Sequence, residues 1–187
     1  NVPELGEDGL LFARPGFNVI GTANTRDKGV NEMSSALKRR FNFETVLPVR
    51  DAAMEKQIII HEVQSLADAS RIGMPVDEDV AELLAATYHE LREGVSSMGH
   101  RIDRPAAVMS TAEAVSVYYQ TMMTAWYYGG QEMDLGCLVQ NLVGAVRKEN
   151  GEDLEKVRSY FQTVVRDRGE KEGGLWNRYY EARKYLK

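Results

Sequence analysis

The hydrophobic pattern of the sequence changes at Arg50, and this change constrains the fold more than any other feature. Before Arg50, residues 17–22 (FNVIGT) and 41–49 (FNFETVLPV) are short, apolar and rich in β-branched and aromatic residues, which is typical of strands. After Arg50, apolar residues recur at helical spacing. Two strands are too few for a stable sheet, because their edges need partners. The pattern therefore predicts a mainly α protein that begins with a truncated α/β remnant.

The helices are predicted from apolar periodicity and from capping residues. Asp51 and Asp77 each precede an amphipathic segment and are suited to cap it, and Ser110 with Glu113 has the spacing of a capping box. Further helices are predicted over 135–146, 154–165 and 176–186, and a short one over 33–40. We divide the chain into an α/β remnant with a hairpin or loop at its start (1–50), a helical bundle (51–146) and a helical extension (147–187).

Composition excludes several classes of protein. The 187 residues carry 23 Lys and Arg against 28 Asp and Glu, a net charge of −5, which argues against a generally basic nucleic-acid surface. No apolar run approaches the roughly 20 residues of a membrane span, and we expect a cytoplasmic protein. The single cysteine, Cys137, lies in an apolar helical pattern and is expected in the core. It leaves no disulfide, and the histidines lack metal-site spacing.

A polar residue follows the first predicted strand. Asn24 would lie at the carboxyl edge of the sheet, where open α/β folds bind ligands, and its amide could hold a water beside a phosphate oxygen. The alternative is that Asn24, Thr25 and Asp27 form a local Asx-type turn. Both interpretations stay open from the residues alone.

Two adjacent arginines end the short helix. Arg39 and Arg40 carry permanent charges in planar forks suited to phosphate. Cations are also favourable at a helix C-terminus, so complementing the helix dipole is the alternative role.

Residues 17–49 resemble the second half of the nucleotide-binding core of AAA+ ATPases, in the MoxR-like and dynein-related group. The match covers GTAN at 21–24 and EMSSALKRRF at 32–41. The resemblance implies that Asn24 is sensor 1, which orients the attacking water, and that Arg40 is an arginine finger acting on the neighbouring subunit's nucleotide. Arg39 is the second candidate for the finger.

The same resemblance extends to the rest of the chain. It implies that residues 51–146 are the α-helical lid, and that ATP is contacted by Asn24, by Thr25 and, at the start of a late lid helix, by Ser110 and Thr111. The family's sensor 2 arginine would fall near Ala112, where this sequence has none.

The sequence lacks the parts of such a site that hold phosphates and metal. It contains no G-x-x-x-x-G-K-[ST] motif and no apolar strand ending in Asp-Glu, so ligands for Mg²⁺ are missing. We therefore expect this chain to be the C-terminal part of a longer ATPase that uses ATP and Mg²⁺, and to be inactive alone. The start at Asn1, within a polar Gly-rich stretch, agrees with that expectation.

The resemblance also implies partners. A homo-oligomeric ring, a hexamer, would remodel a client protein, often one with a von Willebrand A domain. Two alternatives remain: a non-enzymatic helical interaction module, and a helical nucleic-acid-binding domain using residues 38–40 and the mildly basic tail.

Two aromatic groups leave their role open. The group in the helix after Ser110 is predicted mainly as core, and the group near the C-terminus could dock on the lid or on another protein. The first comprises Tyr118, Tyr119, Trp126, Tyr127 and Tyr128, and the second Trp176, Tyr179, Tyr180 and Tyr185.

Overall fold

The computed structural model describes residues 12–22, 33–147 and 151–187. The chain divides into two compact units, Asn1–Thr45 and Val46–Lys187. We call the second the helical unit.

The first unit contains one short helix in its described part, α1 (Ser35–Lys38). The side chain of Ser34 caps it by accepting a hydrogen bond from the Leu37 amide (3.2 Å). Residues 17–22 and 41–49 are described and form no strand, contrary to the prediction. The apolar side chains of 17–22 and of 41–47 are exposed, Ile20 by 94%, and Val49 is half-buried. A strand needs a neighbour for its backbone hydrogen bonds, and the described residues provide none. The predicted hairpin lies mostly in 1–11, outside the described residues.

The helical unit confirms the mainly α prediction. Its elements, in chain order, are α2 (Ala52–Ala69), α3 (Glu78–Glu93), α4 (Thr111–Tyr128), α5 (Leu135–Val146), α6 (Gly151–Tyr160), a π-helical segment (Phe161–Val165), α7 (Arg166–Glu172), α8 (Gly174–Glu181) and a 3₁₀ turn (Ala182–Tyr185). None of the helices in the described ranges is both long and apolar enough to cross a membrane.

The predicted helix starts are confirmed by side-chain caps. Asp51 accepts from the Ala53 amide (2.8 Å), and Asp77 accepts from the Asp79 amide (3.0 Å). Ser110 and Glu113 form both bonds of a capping box. Each cap satisfies amides that have no partner inside the helix and contributes about 1 kcal/mol.

One hydrophobic core connects the helices of this unit. Residues of the predicted bundle and of the predicted extension contribute to it together, so Trp176, Tyr179 and Tyr180 of the C-terminal aromatic group pack against this shared core. Tyr179 is fully buried and its ring lies 4.6 Å from that of Phe161. In α4 the prediction of core packing holds for Tyr118 and is wrong for Tyr128, which is 89% exposed.

Candidate functional site

The predicted arginine finger lies on an exposed turn. Arg39 and Arg40 directly follow α1, and both are exposed. Their amides are bonded to the carbonyls of Ser35 (3.2 Å) and Leu37 (2.9 Å). Their guanidinium groups make no hydrogen bond or ion pair within the part of the chain that the structure describes. Among the described residues, no carboxylate pairs with Arg40, and its side chain is exposed to solvent.

Asn24 and Thr25, the predicted sensor 1 residue and its neighbour, lie outside the described residues. Their roles stay predictions from the sequence.

The two predicted nucleotide contacts of the helical unit are hydrogen-bonded inside the protein. The Ser110 hydroxyl donates to Glu113 Oε2 (3.1 Å) in the capping box, and the Thr111 hydroxyl donates to Glu55 Oε1 (2.8 Å). Both residues are half-buried at the start of α4. The bond from Thr111 joins the start of α4 to α2. The contacts of Ser110 and Thr111 with ATP remain predictions.

The acceptor of that bond belongs to a buried ion pair. Glu55 is 0% exposed, and both of its oxygens are bound by Arg92, Oε1 by Nη1 (3.1 Å) and Oε2 by Nη2 (2.7 Å). A bidentate pair of this kind is directional and roughly twice as strong as a neutral hydrogen bond. His89 Nδ1 lies 3.7 Å from the same carboxylate. The pair joins the first turn of α2 to the last turn of α3.

Arg92 also binds two backbone carbonyls. Nη1 donates to Met109 O (2.8 Å) and Nη2 to Val49 O (3.3 Å). Met109, which directly precedes Ser110, is buried with a φ of 51°, a left-handed conformation that is strained for a residue other than glycine. The guanidinium therefore holds the strained entry to α4 and the segment before α2 at once.

Sequence reasoning missed this pair, although a signal was present. Glu55 stands four residues before Ile59, which is followed at the same spacing by Val63 and Ala67, and all four are buried. A carboxylate on an otherwise apolar stripe requires a buried cationic or hydrogen-bonding partner. The pattern could have identified Glu55, but it could not have named Arg92, which is 37 positions away.

A second buried ion pair lies elsewhere in the helical unit. Arg168 Nη2 is 2.5 Å from Glu90 Oε1, and its guanidinium stacks on Trp176 at 4.2 Å from the ring centroid. Tyr160 donates to the other Glu90 oxygen (2.8 Å). This cluster joins α3 to α7 and α8. It uses one of the tail cations, which weakens the prediction of a nucleic-acid-binding tail.

Acidic, histidine and cysteine side chains do not converge into a candidate metal site: no group of three or more is found among residues 12–22, 33–147 and 151–187.

Comparison with known proteins gives two family matches. A family model described as the AAA domain of the dynein-related subfamily matches residues 3–41, and one described as the YehL-like AAA+ ATPase C-terminal domain matches residues 53–187. The first match includes both quoted motifs, GTAN and EMSSALKRRF, and confirms the predicted resemblance to dynein-related AAA+ proteins.

One curated relative matches almost the whole of this chain. The protein YehL of Escherichia coli (strain K12) is 44% identical over 188 residues, which cover 98% of this chain and 50% of that protein. The chain thus spans about half the length of the curated relative it matches. No solved structure matches.

Proposed function

The chain belongs to the family of YehL-like AAA+ ATPase C-terminal domains, and from this premise we propose that it supplies sensor 1 and a trans-acting arginine finger to an ATPase. The intact protein would couple ATP binding and hydrolysis to the remodelling of a client protein. The observation that carries the proposal is the AAA-domain match over residues 3–41, since it contains Asn24, Thr25, Arg39 and Arg40.

The environment of Arg40 supports its assignment as the finger. An arginine finger must leave its own subunit and reach charge that develops on the phosphoryl group bound by a neighbour. Arg40 is exposed, and no ion pair among the described residues competes for its guanidinium. Arg39 shares these properties, so the order of preference between the two rests on the position of Arg40 directly before Phe41, as in the motif.

The proposed site residues of this chain would act at the γ-phosphate end of a bound nucleotide. Arg40 is suited to the anionic γ-phosphate of the adjoining subunit, and Asn24 is suited to hold the attacking water within its own subunit. The 187 residues contain no Walker A motif to cradle the phosphates, so this part of the site would come from elsewhere in the intact protein. Bound Mg²⁺ would neutralise charge on the β- and γ-phosphates.

A finger that acts in trans requires an assembly. We propose a homo-oligomeric ring, a hexamer as in MoxR-like proteins, in the cytoplasm, with a client that carries a von Willebrand A domain. A heterologous interface repeated around a closed ring places each Arg40 beside the next subunit's nucleotide.

The proposal is tested by replacing Arg40 in the intact protein. Arg40→Ala is expected to lower kcat for ATP hydrolysis by roughly 10³-fold or more while ATP still binds, because the finger acts on charge that develops in the transition state. Lys38→Ala, which removes a neighbouring exposed cation in the last turn of α1, is the matched control and should keep kcat within about threefold. Normal turnover in Arg40→Ala, and in a variant lacking both Arg39 and Arg40, would overturn the finger assignment.

A further inference from the structure

The chain enters the helical unit through a short segment without helix. The helical unit begins at Val46 and α2 begins at Ala52, so residues 46–51 form the entry segment. Asp51 fixes its end by capping α2. Val49 is fixed by Arg92, which donates to its carbonyl oxygen (3.3 Å).

The side chain that fixes Val49 is itself held firmly. Arg92 binds both oxygens of the buried Glu55 and the carbonyl oxygen of Met109. Its side chain is only 10% exposed. A single guanidinium therefore joins the entry segment, the first turn of α2 and the residue before the capping box of α4.

Stability alone does not account for this arrangement. Removing two charges from water costs several kcal/mol per ion, and well-packed apolar residues in place of a buried pair are often as stable. The pair fixes the relative orientation of the segments that it joins. The planar guanidinium has five N–H donors in a fixed geometry, and four of its hydrogen bonds here reach Glu55, Met109 and Val49, which lie in three different segments of the backbone. The Glu90–Arg168 pair is similarly buried but has no hydrogen bond to the entry segment among those that the structure describes.

We propose that Glu55 and Arg92 are positioning residues for the ATPase reaction. They hold the entry segment rigidly to the start of α4, so that movement of the chain before Val46 is transmitted to the helical unit rather than absorbed at residues 46–51. This inference rests on the proposed function, because the movement to be transmitted is the response to ATP. Neither residue needs to touch the nucleotide.

The test compares Arg92→Met with Arg168→Met in the intact protein. Each removes one buried cation from a pair with glutamate, so both are expected to lower the melting temperature. Only Arg92→Met is expected to raise KM for ATP, by about tenfold with kcat within about threefold of the unchanged protein, because a movement that no longer reaches the helical unit cannot stabilise bound ATP. Glu55→Gln, which keeps the shape of the side chain, provides a second variant if Arg92→Met does not fold.

Hydrogen exchange gives a readout that does not depend on turnover. In the unchanged protein, ATP should slow amide exchange in peptides covering residues 46–54. In Arg92→Met this ATP-dependent protection should be lost, and in Arg168→Met it should persist.

The outcomes separate the two proposals. If the unchanged protein binds and hydrolyses ATP but Arg92→Met and Glu55→Gln keep its KM within about twofold, or Arg168→Met raises KM equally, the positioning role is wrong. If the unchanged protein neither binds nor hydrolyses ATP, the proposed function is wrong and the positioning role falls with it.

Discussion

Tyr160 and Arg168 lie eight positions apart on one helical run and bind the two oxygens of the same carboxylate, that of Glu90. In an uninterrupted α-helix, side chains eight positions apart differ in direction by about 80°. The π-helical segment Phe161–Val165 lies between them and accommodates about one additional residue, which reduces the difference to about 20°. The π-helical segment therefore brings both side chains to Glu90.

This register predicts that one residue can be deleted from the π-helical segment. Thr163 is exposed there, and its hydroxyl bonds the Ser159 carbonyl (2.8 Å). Deleting Thr163 should convert the π-helical segment to regular α-helix while Tyr160 and Arg168 keep facing Glu90. We expect the free energy of unfolding in urea to change by less than about 1.5 kcal/mol.

Deleting Ser116 from α4 is the matched control. Ser116 is also exposed, but it lies between the buried residues Val115 and Val117 in regular helix. Its deletion rotates one half of the buried face by about 100° against the other and should cost about 3 kcal/mol or more. Equal losses from the two deletions would contradict the register argument.

Replacement by alanine should change the free energy of unfolding in opposite directions at two helical glycines. A Cβ on Gly169 of α7 would lie 3.1 Å from the Cα of Asn177 and 3.3 Å from the carbonyl oxygen of Trp176, so α7 and α8 would have to separate. Since backbone atoms cannot rotate away, Gly169→Ala should lower the free energy of unfolding by about 1–3 kcal/mol. Thermal or urea unfolding of the 187-residue chain measures the change.

Gly144 of α5 provides the control for that substitution. A Cβ at this position meets nothing within 4 Å. Gly144→Ala therefore gains only the helix propensity of alanine and should raise the free energy of unfolding by about 0.5–1 kcal/mol. A stabilising Gly169→Ala would show that α7 and α8 do not approach this closely.

Asp153 predicts a dependence of stability on pH. Burial acts to raise the pKa of its carboxyl, but hydrogen bonds from the amides of Ala106 (2.8 Å) and Ala107 (2.9 Å) and the nearby Lys156 ammonium outweigh burial and lower the pKa. Because the folded state favours the carboxylate, its stabilisation is complete above the unfolded pKa of about 3.9 and is lost as pH falls through the lower folded pKa.

Asp153→Asn should therefore lower the free energy of unfolding by about 1–3 kcal/mol at pH 7. The difference from the unchanged chain should shrink as pH falls below about 4, because the unfolded state then binds a proton that the folded carboxylate binds only at lower pH. Urea unfolding between pH 7 and pH 3 measures this. Asp68→Asn, at an exposed carboxylate of α2, should change stability at pH 7 by less than about 0.5 kcal/mol. A difference at Asp153 that stayed constant with pH would contradict the ionic contribution.

The sequence predicted the features of this fold that depend on nearby residues. Helix starts at Asp51, Asp77 and Ser110 were predictable because a cap acts within three residues of the chain. The helix over Leu135–Val146 was predicted with its observed bounds, since its apolar spacing is uninterrupted.

Features that depend on distant residues were not predictable in the same way. The helical run that includes the π-helical segment continues past Val165, where the predicted helix ends, and in this continuation Arg168 contacts a carboxylate 78 positions away, which local periodicity cannot reveal. The predicted strands failed for a related reason, since apolar alternation indicates a strand only when a neighbouring strand is present to bond with it. The sequence alone likewise could not show that Arg40 is exposed, because exposure depends on how the surrounding residues fold.

The proposed trans action of Arg40 predicts that two inactive variants of the intact protein restore each other. Under this proposal, Asn24→Ala removes the residue that orients water in its own subunit, and Arg40→Ala removes the finger offered to the next subunit, so each variant alone should be inactive. When the two are mixed and reassembled in equal amounts, about a quarter of the interfaces join an intact Asn24 to an intact Arg40, and activity should return to about that fraction. The control is a subunit carrying both substitutions, which should restore neither single variant. If Arg40 acted on the nucleotide of its own subunit, no mixed interface would be complete, and the mixture would stay as inactive as its components.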